Sequence, residues 1–208
     1  MRRPQKRAKK LEKNGNESSC LPKRISNNQT KVTDMSNMKI VVLMGSPRDL
    51  PFASKIKNFL KKEKFPLDCV YNVASAHKTP EKLLNDLKEK ERSNEYIVYI
   101  TVAGLSDALS GVVAGYTRYP VIACPPDSDK HGGKKVFSST AMPKGIPVAY
   151  IVEAENAVLF AVRILAMSNP ELKKSLTNYK NKMIKAVYDG AEEVKKITQK
   201  KDVNRLTV

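Results

Sequence analysis

The sequence predicts an α/β fold: a doubly wound parallel sheet in a three-layer arrangement, with helices on both faces and at the C-terminal end. Short runs of β-branched and other apolar residues, typical of buried strands, alternate with longer segments of helical periodicity. The connections between them are short, and this combination is typical of parallel sheets. Small polar residues follow several strands, at the sheet edge where ligands of such proteins bind.

Five apolar runs are predicted to be strands. The first is rich in β-branched residues, and the fourth ends at the proline pair Pro125-Pro126, which cannot continue a ladder. The runs lie at residues 39–44, 67–73, 96–102, 119–124 and 147–152. A helix is predicted after each of them, so every strand connects to the next through a crossover.

The predicted helices follow from apolar spacing and end signals. Thr79-Pro80 is a favourable helix start, since Thr caps helices and Pro suits the first turn. Asn169-Pro170 stops an apolar helix. After it, the pattern predicts either one long amphipathic helix or a pair broken near Gly190. The helices are predicted at residues 50–64, from 80 onward, 108–116, 136–141, 155–167 and 171–200.

The chain of 208 residues is predicted to hold one core domain, at 38–169, between a tail at 1–37 and a helical extension at 170–208. The formal net charge is +17, and the tail holds ten Lys or Arg against three Asp or Glu. Its polar composition predicts disorder. A solubilising role is the simplest interpretation; binding to nucleic acid or organelle import are alternatives.

Several classes of protein are disfavoured by composition. No apolar run is long enough to span a bilayer and no signal-peptide pattern occurs, so a cytoplasmic protein without a membrane partner is expected. Three dispersed cysteines and two histidines fit neither a metal site nor a disulfide framework, which favours a reducing compartment. Cys124 is expected to be a packed thiol, and His131 a surface loop residue.

Three polar turns are expected to meet at the carboxyl edge of the sheet. The first carries Gly45, Ser46 and Asp49, a set that suits a phosphate and ribose hydroxyls, although Asp49 could instead be a plain helix cap. It lacks the spacing of a Walker loop or a dinucleotide fingerprint, so a P-loop ATPase or an NAD enzyme is disfavoured.

The second and third turns add chemistry to this edge. Ser75 is followed by His77, the usual type of group for proton transfer near neutral pH, and by Lys78, a fixed cation for phosphate or carboxylate. The third turn offers Gly104 and Ser106, with Asp107 as a plausible cap of the next helix. The three turns together predict one anion-binding crevice.

Together these segments resemble the phosphoribosylaminoimidazole (AIR) carboxylase family, whose domain is flavodoxin-like. The resemblance runs from about residue 38 to residue 175 and includes Phe137-Ser138-Ser139. Lys78 after the histidine, and Ser106, are similar to the class II branch, which joins carbon dioxide directly to aminoimidazole ribonucleotide in purine biosynthesis. The motifs that carry the family resemblance are Val-Val-Leu-Met-Gly-Ser at 41–46, Ser-Ala-His-Lys at 75–78, Val-Ala-Gly-x-Ser at 102–106 and Tyr-Pro-Val-Ile-x-Cys-Pro-Pro at 119–126.

The resemblance implies a role for each turn. Gly45, Ser46 and Asp49 would bind the ribose phosphate part of the substrate. Ser75, Lys78, Gly104 and Ser106 would line the site for the ring and carbon dioxide, and His77 would carry the displaced proton. Catalysis would thus rest on His77, Lys78 and Ser106. The implied enzyme needs no cofactor or metal and is a homo-oligomer, an octamer or tetramer, in contact through helix 108–116 and the C-terminal helices.

The chain departs from the family pattern in two turns. Arg48 stands where the family usually has Ser, and could bind phosphate in another way or block it. Leu105 and Asp107 replace the usual Arg and Asn, and Ala108 replaces a Gly. An acid at 107 is expected to make the third turn less attractive to an anion. Alternatives therefore stay open: a class I mutase that moves a carboxyl from nitrogen to carbon, or a degenerate, non-catalytic nucleotide-binding member.

Overall fold

A computed structural model describes residues 37–126 and 133–206, and within them five parallel strands form one sheet. The strand order is β2-β1-β3-β4-β5, the flavodoxin-like order, so the predicted fold class is confirmed. The strands are β1 Met38–Met44, β2 Asp68–Val73, β3 Tyr96–Val102, β4 Val121–Ala123 and β5 Ala149–Tyr150. The helices are α1 Leu50–Lys62, α2 Pro80–Glu91, α3 Ala108–Tyr116, α4 Val136–Thr140, α5 Ala154–Ala166 and α6 Pro170–Leu206, and a 3-10 turn spans Pro47–Asp49.

The sheet is buried on both faces because its central strands alternate between two cores. Ile40 and Val42 of β1 pack with α1 and α5, whereas Val41 and Leu43 pack with α2 and α3. This two-residue alternation is the geometry of a strand, and both sets are apolar because helices cover both faces. The start of α6 extends the first core through Leu172, which is fully buried.

The carboxyl ends of the central strands are tied together one residue beyond the ladder. The N–H of Gly45 donates to the Val102 carbonyl at 2.9 Å, and the N–H of Ala74 donates to the Met44 carbonyl at 3.0 Å. These bonds fix where the first, second and third turns begin. The three turns therefore leave the sheet side by side.

Two details differ from the sequence prediction, and one open alternative is decided. Strands β4 and β5 are shorter than predicted, with three and two residues. Of the two alternatives for the C-terminal segment, the single long helix is confirmed: α6 runs unbroken through Gly190, since an isolated glycine costs a helix only about 1 kcal/mol and no proline follows. Thr79 occupies the position before α2, but its side chain does not cap the helix.

Two further predictions lie outside the described residues. These are the disorder of the tail, over residues 1–36, and the surface position of His131. Of the helices within 37–126 and 133–206, none combines the length and apolar character needed to cross a membrane. Cys69 and Cys124 are both buried free thiols, so the packed thiol predicted at Cys124 is confirmed.

Candidate active site

The three polar turns surround one cavity of about 450 Å³, which we call the inner lobe. Every site residue predicted from the sequence lines it, so the structure brings the complete set together at the carboxyl edge of the sheet. The lining residues are Gly45, Ser46, Arg48, Asp49, Ser75, Ala76, His77, Lys78, Ala103, Gly104, Leu105, Ser106 and Leu109.

The first turn is shaped by a close approach of two strand ends. A Cβ added at Gly45 would lie 3.3 Å from the Ala103 Cβ, tighter than an ordinary contact, so a side chain at this position would push β1 and β3 apart. Ser46 then caps the 3-10 turn, its Oγ accepting a hydrogen bond from the Arg48 N–H at 3.2 Å. This arrangement holds residues 46–49 against the cavity.

Asp49 turns its carboxylate toward the third turn. It precedes α1 in the cap position, but its side chain makes no capping bond, so the plain-cap interpretation is wrong. The carboxylate instead faces the backbone of Ser46 and Gly104. Burial raises the pKa of Asp49, while the polar backbone groups of these two residues and the charge of Lys135 oppose the rise. The group is a pre-positioned acceptor between two turns.

The second turn is a closed loop with its functional side chains at the exposed tip. The Ser75 N–H donates to Thr79 Oγ1 at 2.9 Å, and the Lys78 N–H donates to Ser75 Oγ at 3.2 Å. Thr79 therefore uses its hydroxyl to close the turn, which explains why it does not cap α2. His77 and Lys78 are exposed and line the inner lobe, so a ligand could reach both side chains.

The third turn is anchored from behind by a buried carboxylate. Asp107 caps α3, as predicted, by accepting a hydrogen bond from the Ser110 N–H at 3.0 Å, and its other oxygen accepts one from Ser139 Oγ at 2.7 Å. It is only 2% exposed and does not line the inner lobe. Asp107 therefore supports the third turn from behind and offers no direct contact to a ligand in the inner lobe.

The residues around Asp107 include one in an unusual conformation. Leu105 adopts the left-handed backbone region, with φ of 57°, and is 71% exposed, so its side chain stands out at the cavity rim. Ser106 follows it at the surface. The Asp107 N–H donates to Ser138 Oγ at 3.2 Å, which ties this turn to the start of α4. The Phe137-Ser138-Ser139 motif thus supports the third turn.

A second cavity of about 560 Å³, the outer lobe, adjoins the first. The two share Arg48, Asp49, Gly104 and Leu105. The outer lobe adds Lys55 of α1 and Lys135, whose Nζ donates to the Pro126 carbonyl at 3.0 Å. Sequence reasoning missed both lysines, because no spacing signal separates them from the many other lysines of the chain.

The charge of the two lobes favours an anionic ligand. Of the residues that the structure describes there, four with cationic side chains line the lobes, Arg48, Lys55, Lys78 and Lys135, against the carboxylate of Asp49. Within the described part of the chain, no group of three His, Cys, Asp or Glu side chains could hold a metal ion. A smaller cavity of about 130 Å³ between α2 and the sheet contains none of these cations.

These features define an α/β protein with an anion-binding crevice at the switch point of its sheet and a histidine at the rim. The chain belongs to the AIR carboxylase family, whose family model matches residues 39–186. It is 43% identical over 158 residues to phosphoribosylaminoimidazole carboxylase of Archaeoglobus fulgidus, covering 76% of this chain and 86% of that protein.

Two further comparisons agree with this family. Over 160 residues, the chain is 42% identical to N5-carboxyaminoimidazole ribonucleotide mutase of Methanocaldococcus jannaschii, covering 76% of this chain and 98% of that one. It is similar to the crystal structure of Treponema denticola PurE, with a TM-score of 0.72 and 36% identity over 75% of this chain and 98% of that chain. The relatives thus include both carboxylases and mutases.

Proposed function

We propose that the protein carboxylates 5-aminoimidazole ribonucleotide with carbon dioxide, giving the 4-carboxylate of purine biosynthesis. One observation carries the proposal: His77 and Lys78 stand at the tip of one turn, opposite Ser106, and open into an inner lobe of about 450 Å³. Family membership supplies the substrate class. The excess of cations in the two lobes suits a ribonucleotide phosphate and the new carboxylate.

The proposed reaction needs a proton acceptor and a cation. The electron-rich ring carbon attacks carbon dioxide, so a carbon–carbon bond forms and negative charge develops on the carboxylate oxygens. Lys78, with the Ser106 hydroxyl, stabilises that charge. The same ring carbon then loses its proton to His77, which restores the aromatic ring. Asp49 accepts hydrogen bonds from the ribose hydroxyls, and Gly45, Ser46, Ser75 and Gly104 complete the substrate site.

The test is an assay with purified protein, aminoimidazole ribonucleotide and bicarbonate. We expect the absorbance of the carboxylated product to rise with the free amine as substrate. A mutase would instead use only the N-carboxylated amine, so comparison of the two substrates separates these activities. No turnover of either substrate, with the ribonucleotide still raising the melting temperature, would identify a degenerate member that binds without catalysis.

We infer in addition that the protein is a cytoplasmic homo-oligomer, a tetramer or octamer, assembled partly through α6. The helix packs on the core through Leu172, Leu176 and Tyr179. Over residues 180–199 it is exposed, apart from the half-buried Gly190. Apolar residues continue there at helical spacing, including Ile184, Val187 and Val194. This exposed apolar face of α6 suits the same face of a second copy.

Light scattering of the full chain tests this assembly. We expect a mass of four or eight chains for the wild-type protein and a smaller mass for Val187→Glu, because a charge at the centre of the face is costly to bury. Lys196→Glu, on the opposite side of the helix, is the control and keeps the wild-type mass. A monomeric wild-type protein would rule the assembly out. Helix α3, which exposes Val112 and Tyr116, is a second contact candidate.

A further inference from the structure

Arg48 is the one cationic residue, among those that the structure describes, that lines both lobes of the crevice. It lies in the 3-10 turn between Ser46 and Asp49, and its side chain lines both the inner and the outer lobe. Its backbone N–H is bound to Ser46 Oγ at 3.2 Å, so the start of the side chain is fixed at the boundary between the lobes. The guanidinium can thus reach a ligand in either lobe.

The guanidinium has no ion-pair partner among the described residues. The adjacent carboxylate of Asp49 faces the backbone of Ser46 and Gly104 and lies near the charge of Lys135. Lys78 lines the inner lobe from a different turn. Two like charges that face one cavity repel each other, and an anion between them removes the repulsion.

We infer that Arg48 binds the phosphate of the ribonucleotide, together with Lys78, and selects phosphorylated over unphosphorylated substrates. A planar guanidinium can donate two parallel hydrogen bonds to phosphate oxygens, which a serine hydroxyl cannot do. The family pattern has serine here, so this mode of phosphate binding is particular to this chain. The inference rests on the proposed function for the identity of the substrate, but it concerns binding alone.

The alternative is that the bulky side chain blocks the crevice. Arg48→Ser lowers the affinity for phosphorylated ligands if Arg48 binds phosphate, and raises it if Arg48 blocks the crevice. Binding to the wild-type protein, Arg48→Ser and Arg92→Ser is measured by calorimetry with three ligands: aminoimidazole ribonucleotide, its unphosphorylated riboside and ribose 5-phosphate. Arg92 is an exposed arginine that lies outside both lobes, so its replacement removes the same charge at a distance.

We expect Arg48→Ser to lower the affinity for both phosphorylated ligands on the order of 10- to 100-fold, because charge-assisted hydrogen bonds are lost. The affinity for the riboside should change less than about twofold under the same principle, and Arg92→Ser should match the wild type. Two results with Arg48→Ser would overturn the inference: unchanged or tighter binding of the phosphorylated ligands, or an equal loss of affinity for the riboside. A wild-type protein that does not bind ribose 5-phosphate would also overturn it. Because ribose 5-phosphate binding needs no turnover, loss of that binding in Arg48→Ser would support it even if the carboxylase assay failed.

Discussion

The carboxylate of Asp49 lies beside the backbone of Gly104, which brings the first turn against the third across the mouth of the crevice. A Cβ on Gly104 would lie 3.7 Å from Asp49 Oδ1, so the two residues are in near contact. A carboxylate has about four acceptor sites, so its contacts with the backbone leave some of them open to a ligand. Asp49 can therefore shape the crevice and bind a ligand at the same time.

Asp49→Ala should therefore impair both binding and stability. We expect the affinity for the ribonucleotide to fall on the order of tenfold or more, since the ribose hydroxyls lose a charged acceptor. We expect the free energy of unfolding to fall by about 1 kcal/mol, because the neighbouring backbone groups of Ser46 and Gly104 lose a charged partner. Calorimetry and urea unfolding measure the two effects. Asp189→Ala, which removes a surface carboxylate of α6, should change neither; wild-type affinity in Asp49→Ala would contradict the role.

The third turn should depend on Asp107 for its stability. Asp107→Ala removes the α3 cap and leaves Ser139 Oγ without its acceptor, so we expect a loss of about 1–3 kcal/mol in the free energy of unfolding. Ser139→Ala should cost less. If the two side chains act as a pair, the double variant will be less destabilised than the sum of the single variants, by about 0.5 kcal/mol or more. Strict additivity would show that the hydrogen bond contributes nothing.

Much of the fold was predictable because its signals are local. Apolar runs, cap residues and the proline at 170 predicted most elements, and their alternation predicted that the strands run parallel. Asp107 was correctly predicted to cap α3, but the sequence could not exclude the same role for Asp49, because a carboxylate before a helix looks like a cap in both cases. Only the packing shows that Asp49 turns into the crevice while Asp107 turns away from it. Lys135 was missed for the same reason: its place near Asp49 depends on contacts distant in sequence.

The amino ends of β1 and β3 are joined by an ion pair that should make stability depend on pH. Lys39 donates a hydrogen bond to Glu95, and this contact lowers the pKa of the Glu95 carboxyl. Because the pKa of Glu95 is lower in the folded state than in the unfolded state, the ion pair stabilises the protein at pH values above the pKa of the unfolded state. This stabilisation is lost as the pH falls through the pKa of the folded state. We expect Glu95→Gln to cost about 0.5–1 kcal/mol at neutral pH.

The pH profile tests the cause of that loss. The difference in the free energy of unfolding between wild type and Glu95→Gln should stay constant down to about pH 4.3, the ordinary glutamate pKa. Below that pH it should become smaller as the carboxyl is protonated. Urea unfolding over this range gives the measurement. A difference that does not change with pH would show that side-chain packing, and not the charge, is responsible.

The two buried thiols should be inert in the native protein. Burial raises the pKa of Cys69 to about 11 and that of Cys124 to about 12, and only the thiolate reacts with alkylating reagents. In a Cys20→Ser variant, whose remaining thiols are these two, we expect no labelling near neutral pH in buffer and two labels per chain in urea. Rapid native labelling of either thiol would contradict their burial.

The most direct test of the account follows a labelled carbon. Isotopically labelled bicarbonate is supplied with aminoimidazole ribonucleotide, and the label on the ring carboxylate is measured for wild type and His77→Asn. We expect labelled product from the wild type. In His77→Asn we expect the rate to fall by about 100-fold or more, at unchanged ribonucleotide affinity, because the variant lacks a proton acceptor. Label incorporation by His77→Asn at the wild-type rate, or no incorporation by a wild-type protein that binds the ribonucleotide, would contradict it.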